Sequence, residues 1–166
     1  MADSDDWTDT ASDRVRVARP GDYDSIVAVV DHWWGRPVSP SLPRLFLDHF
    51  WPTSRIAEDP RGLAGFLVGF VSPAQPQCGY VHFAGVRPDR RTGGLARRLY
   101  DEFAVQASAQ GCTELRAITA PGNAASIRFH QRLGFEVSEP VTDYNGTGRP
   151  MVTFRLRLEP ADGRVQ

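Results

Sequence analysis

The chain has 166 residues, 41% of them hydrophobic, and a formal net charge of −1 at pH 7. That length fits one domain with tails, the apolar share suffices for a sizeable core, and the charge lacks the basic excess of a dedicated nucleic-acid binder. All 19 basic residues are arginine, which excludes a Walker-type phosphate loop and a lysine Schiff base.

The opening segment MADSDDWTDTASD is acidic and polar, unlike a signal peptide. VRVAR (Val15 to Arg19) alternates apolar and charged residues, the pattern of a half-exposed strand. Pro20 and Gly21 break it, Asp22 caps a helix over DYDSIVAVVDHWW, and Ile26, Val29 and Val30 form its apolar stripe. A short helix follows over SLPRLFLDHF, with Pro43 in its first turn. SRIAE reads as a strand, Asp59 to Gly62 as a turn, and LAGFLVGFVS, apolar on both faces, as a central buried strand. PAQPQ turns the chain into the strand GYVHFAGVRP, so these neighbours form an antiparallel meander. RRTGGLARRL (Arg90 to Leu99) leads into a long helix to about Gln110, with Leu95, Leu99 and Phe103 on one face and Gly111 as its stop.

The strand TELRAITA follows that crossover helix and is expected parallel to the strand before it. Gly122 and Asn123 open a last helix that ends at Leu133-Gly134, and FEVSEP and MVTFRLRLE close the sheet. The fold class is therefore α/β: a mixed, mostly antiparallel central sheet with about four helices. Residues 14–159 form the domain, 1–13 a disordered acidic tail and 160–166 a flexible C-terminal tail. No apolar run reaches the ~18 residues of a membrane span, and a cytoplasmic location is expected. Cys78 and Cys112 match no metal or redox spacing, and His32 and His49 have no partner at ligand spacing, so no metal is expected.

The arginine-flanked Gly93-Gly94 pair lies between a strand and a helix. A helix N-terminus offers unpaired N–H groups and a partial positive charge, and glycines let a phosphate approach them. Arg90 and Arg91 would add charge at the mouth. A pyrophosphate suits this arrangement better than a duplex does, and the G-x-G-x-x-G of a dinucleotide fold is missing.

Arg91-Thr92-Gly93-Gly94-Leu95-Ala96 resembles the Arg/Gln-x-x-Gly-x-Gly/Ala signature of the GNAT acetyltransferase superfamily. NAASIRFHQRLGF (Asn123 to Phe135) is similar to a second motif of that family, and the resemblance spans about Arg16 to Leu158. It implies acetyl-CoA or another short acyl-CoA as donor, held in a cleft between the splayed, parallel HFAGV and TELRAIT strands. It further implies that the backbone of Ala84, Gly85 and Val86 pairs with the pantetheine arm and that the amides from Arg91 through Thr92, Gly93, Gly94 and Leu95 to Ala96 hold the pyrophosphate. Asn123 either contacts the arm or caps its helix.

Acyl transfer to an amine needs a proton acceptor, an oxyanion donor and help for the departing thiolate. The N–H of Val86 is the oxyanion candidate. His130 stands where the family often has tyrosine and is the acid candidate; Asn123, Ser126, Ile127 and His130 share one helical face. His82 is the base candidate, because the glutamate that many family members carry on this strand is missing here and the strand is similar to that of serotonin N-acetyltransferases. A period of two would put Tyr80, His82, Ala84 and Val86 on one face. Each histidine has a plain packing role as its alternative.

Trp33, Trp34 and Phe50, with Tyr80, Asp143 and Tyr144, are the candidates for the acceptor side, either as a cage for a cationic amine or as core. Trp33 and Trp34 are adjacent, so both are not expected to face inward on a helix. The expected activity is acetyl transfer to a primary amine, a small molecule or amino acid, in a ternary complex. A protein N-terminal acetyltransferase and a non-catalytic acyl-CoA-binding module are the alternatives. No nucleic acid and no membrane partner is expected, and a homodimer is compatible with the sequence.

Overall fold

The alternating patterns read above become strands β1 (Arg14–Val17), β2 (Arg55–Asp59), β3 (Gly62–Val71), β4 (Cys78–Val86), β5 (Glu114–Thr119), β6 (Glu136–Val137) and β7 (Val152–Arg157). The 3.6-residue patterns become α1 (Asp22–Trp34), α2 (Leu45–Phe50), α3 (Leu95–Ala109) and α4 (Ala124–Arg132) in the computed structural model, which describes residues 13–159. Both expected tails lie outside the described residues, apart from Asp13. Short 3-10 turns at Ser39–Ser41, Trp51–Thr53 and Pro88–Arg90 were not expected. They take up proline-containing stretches that cannot continue a strand or an α-helix. β6 is only two residues long, shorter than FEVSEP suggests.

All seven strands join one sheet in the order β1-β2-β3-β4-β5-β7-β6. Every neighbouring pair is antiparallel except β4–β5. The crossover through α3 explains that exception, because a helix carries the chain back to the starting end of the sheet. β3 is buried on both faces from Ala64 to Gly69, as its continuous apolar run requires. Leu67 joins Leu99, Phe103, Leu115 and Phe154 in the core beneath α3 and α4. Phe66 and Val68 point the other way, into a core with Ile26, Val30 and Leu47 from α1 and α2.

Two irregularities of β4 shape the site. The first is a bulge: Val68 pairs with Phe83 and Gly69 with Val81, so His82 is an extra residue with no partner of its own. A bulge resets the alternation of side chains. Val81, Ala84 and Val86 therefore face the α3 core, while Phe83 belongs to the α1 core. The second is a splay. β4 pairs with β5 only at Cys78–Glu114, Gly79–Leu115 and Tyr80–Arg116. Beyond Tyr80 the strands part, while β5 stays paired to β7 through Thr119.

Candidate active site

The splay leaves one edge of β4 open. The Arg87 N–H donates to the Ala64 carbonyl at 2.9 Å, just outside the Gly65–Val86 pair. In an antiparallel ladder this marks a non-hydrogen-bonded pair, so the N–H and C=O of Val86 turn away from β3 into the cleft. By the same alternation those of Ala84 do too, while those of Gly85 turn to Phe66. Two of the three expected backbone positions thus offer groups to a ligand. The Val86 carbonyl already accepts from Arg91 Nε at 3.2 Å, which leaves its N–H.

At the end of the cleft, α3 begins at Gly94. Gly94 has φ +79°, a left-handed conformation that a side chain disfavours, and an added Cβ there would meet nothing within 4 Å. Among the described residues, the N–H groups of Gly94, Leu95 and Ala96 have no acceptor. They form an open amide cluster at the positive end of a 15-residue helix. The two loop arginines differ: Arg90 is paired with carboxylates, while Arg91 is held by neutral carbonyls and keeps its charge. Arg90 bonds Asp13 at 2.5 Å and Asp59 at 3.1 Å, and Arg91 bonds the Val86 and Trp33 carbonyls. Buried carbonyls and carboxylates outcompete solvent for these guanidinium groups, and in doing so they brace the loop. Asp59 also pairs with Arg87, and Asp89 bonds both Arg61 and Arg87, which hold its carboxyl down to about 2.

His82 lies at the bulge and faces α2, not the Ala84–Val86 side. Its ring stacks on Phe46 with centroids 3.7 Å apart and planes 7° apart, and its Nε2 lies 2.8 Å from the Ser41 carbonyl. A carbonyl only accepts, so Nε2 carries the proton and Nδ1 keeps its lone pair. Burial lowers the pKa of His82 from 6.5, only partly offset by the Ser41 bond. The group is thus a neutral base at pH 7.

His130 is 5% exposed and points into the α3 core instead of the cleft. Its Nδ1 donates to the Ser126 carbonyl at 2.8 Å, with Ser126 Oγ 3.3 Å away, and its Nε2 accepts from Tyr100 Oη at 3.0 Å. The ring stacks on Phe154 at 3.9 Å. Burial lowers its pKa as well. With Nδ1 donating to Ser126 and Nε2 accepting from Tyr100, both ring nitrogens are engaged within this core, an arrangement that fits the packing alternative read from the sequence. Asn123 does cap α4: its Oδ1 accepts from the Ser126 N–H at 3.2 Å and its Nδ2 donates to Thr119 Oγ1 at 3.1 Å.

Both tryptophans of α1 pack on the sheet. Trp33 is buried against Phe66, and Trp34 lies over Gly85 and tilts on Phe83. α1 ends at Trp34 with Gly35 left-handed, so the last turn lies close enough to the sheet for neighbouring residues to reach it. Phe50 stacks on Phe70 at 4.7 Å, and Phe70 on Tyr80 at 5.5 Å. Tyr80 and Tyr144 meet across a cavity of about 230 Å³, lined also by Arg116, Ile118, Thr153 and Arg155. Burial pushes the Tyr80 phenol up to about 12. Asp143, at φ +55°, accepts from the Gly148 N–H at 2.7 Å and holds the Tyr144 loop rather than lining the cavity.

The sequence reading missed Tyr100, Arg116 and Arg155. The period of two was a usable signal for the arginines: it puts Glu114, Arg116 and Ile118 on one face of β5, and Thr153, Arg155 and Arg157 on one face of β7. Among the described residues, no group of histidine, cysteine or acidic side chains has metal-binding geometry, and no helix is long and apolar enough to cross a membrane.

A sequence model described as the acetyltransferase (GNAT) family matches residues 23–135. The L-methionine sulfoximine/L-methionine sulfone acetyltransferase of Pseudomonas paraeruginosa is 41% identical over 82 residues, which cover 48% of this chain and 48% of that protein. The match therefore spans about half the length of this relative. A GNAT-family protein structure from Desulfovibrio desulfuricans superposes with a TM-score of 0.74 at 22% identity, covering 89% of this chain and 99% of that one. The diaminobutyrate acetyltransferase of Paenibacillus lautus, solved with L-2,4-diaminobutyric acid and coenzyme A, superposes with a TM-score of 0.68 at 19% identity, covering 89% and 95%.

Proposed function

The chain belongs to the GNAT acetyltransferase family, and from that premise we propose that it transfers an acetyl group from acetyl-CoA to the primary amine of a small molecule or amino acid. The observation that carries this reading is the β4–β5 splay, which leads from the open amides of α3 to a neutral histidine at the bulge. The substrates of the Pseudomonas relative support an acceptor of amino-acid size.

In this reading the pyrophosphate rests on the amides between Arg91 and Ala96, and the pantetheine arm lies along β4. Val86 is beside the phosphate loop, so its N–H pairs with the arm. The N–H of Ala84, deeper in the cleft, is then the donor nearer the thioester and takes the oxyanion role first assigned to Val86. The amine enters from the α1–α2 face, where Trp34, Phe50, Tyr80 and Tyr144 line its approach. His82 Nδ1 accepts the ammonium proton, directly or through water. The amine nitrogen then attacks the acetyl carbon, the C–S bond breaks as the tetrahedral intermediate collapses, and the excess proton on nitrogen passes to the departing thiolate, giving the amide and coenzyme A. A thiol is far more acidic than an alcohol, so the thiolate leaves without a strong acid. His130 serves as a positioning residue: through Tyr100 it ties α4 to α3.

The test is CoA release from acetyl-CoA, followed with a thiol reagent. The amine panel contains L-methionine sulfone, L-2,4-diaminobutyric acid, spermidine and a peptide with a free N-terminus. Turnover with a small amine is the expected result. CoA binding without turnover across the panel would identify a non-catalytic acyl-CoA-binding module instead.

A further inference from the structure

We infer that Arg116 and Arg155 form a carboxylate subsite for the acceptor, so that the amine acetylated belongs to an α-amino acid or a close analogue. The inference rests on the transfer reading above and adds the acceptor's class. Arg116 and Arg155 are cross-strand partners on β5 and β7. Like charges at such a position repel unless something holds them. Glu114 does so: it is 5% exposed, its Oε1 accepts from Arg116 Nε and its Oε2 from Arg155 Nε, both at 2.6 Å. Both carboxylate oxygens are spent, and among the described residues neither arginine has another partner. The trio therefore carries one excess positive charge, with Glu136 of β6 across from Arg155 as a further carboxylate in register, and both arginine side chains, held at Nε and 42% and 43% exposed, line the cavity. A planar, bidentate anion fits such a fork better than a point charge does.

The cavity also lies in the right place. Tyr80–Arg116 is the last parallel pair before the splay opens, so the arginines lie at its apex. Tyr80 lines the same cavity and His82 follows it by two residues, with the bulge turning both toward the α1–α2 side. A carboxylate on the arginines would leave the neighbouring amine pointing toward the opened edge of β4. At about 230 Å³ the cavity, open to solvent on one side, has room for an amino acid.

The experiment compares L-methionine sulfone and the twenty standard L-amino acids with their α-carboxamides and decarboxylated amines, using the full chain and acetyl-CoA. At least one free acid is expected to be turned over, with its carboxamide losing about 10- to 100-fold in kcat/KM, mostly through KM. Arg155→Gln and, separately, Arg116→Gln should raise KM for the acid by a similar factor, with little change for the carboxamide. Two variants guard against one of them failing to fold. Equal rates for acids and carboxamides, or equal losses on both in the variants, would overturn the carboxylate subsite while acetyl transfer stands. Turnover of simple amines but of no amino acid would overturn it too. No turnover with any compound would overturn both readings.

Discussion

Glutamine in place of His82 is expected to lower turnover by about 100-fold or more, the usual contribution of a placed general base. The substitution is mild for the fold, because a glutamine amide can still donate to the Ser41 carbonyl that His82 Nε2 bonds at 2.8 Å. What is lost is the lone pair of Nδ1. The pH profile separates this role from a packing one. Burial lowers the pKa of His82 from 6.5, so it is neutral at pH 7, and kcat/KM should fall only as the pH drops below 6.5 and the ring protonates. That acidic limb should be missing in His82→Gln. A variant with the wild-type profile, merely scaled down or unchanged, would remove His82 from the chemistry.

Gly85→Ala should be clearly destabilising, because among the described glycines an added Cβ there meets the shortest contact. A Cβ at Gly85 would lie 2.3 and 2.7 Å from the Trp34 ring and 3.0 Å from Phe66. Neither ring can yield easily: Trp34 leans on Phe83, and Phe66 is fully buried in the α1 core. Overpacking of this kind costs about 1–3 kcal/mol, or a Tm drop of roughly 2–12 °C for a chain of this size. Because Trp34 would be pushed off the bulged strand, the acceptor KM should rise as well. Trp34→Phe in the same background makes room for the methyl and should restore part of the stability, a favourable coupling in a double-mutant cycle. A Gly85→Ala protein that melts like wild type would contradict the close approach of α1 to β4.

The elements of this fold are largely legible from periodicity. The both-faces-apolar run of β3, the stripe of α3 and the crossover to β5 follow from where apolar residues recur, and Asn123 and Gly94 end up where capping and turn chemistry put them. The two motifs point to the amide cluster because backbone donors depend on chain conformation, which glycines betray. The side chains were harder to read. The alternation Tyr80-His82-Ala84-Val86 fails because a bulge leaves no mark in the residues that form it. His130 lies inward as the helical period requires, but inward proved to mean the Phe154–Tyr100 core. Arg90 looks like a ligand charge until Asp13 and Asp59 claim it, and Arg91 is anchored by two backbone carbonyls that leave its charge in place. Long-range partners of this sort are invisible to local spacing.

The central claim is that the open end of the β4–β5 cleft binds the pyrophosphate of an acyl-CoA on the backbone of Gly94, Leu95 and Ala96. Calorimetric titration of acetyl-CoA, CoA and desulfo-CoA, with NADH as a comparison and Gly94→Glu as the control, tests it most directly. Glutamate there would strain a residue at φ +79° and set a carboxylate against the phosphates. Binding of all three CoA forms at about micromolar Kd or tighter, absent for NADH and lost in Gly94→Glu, is the predicted result. No binding of any CoA form by the wild-type protein, or equal binding by Gly94→Glu, would contradict the account.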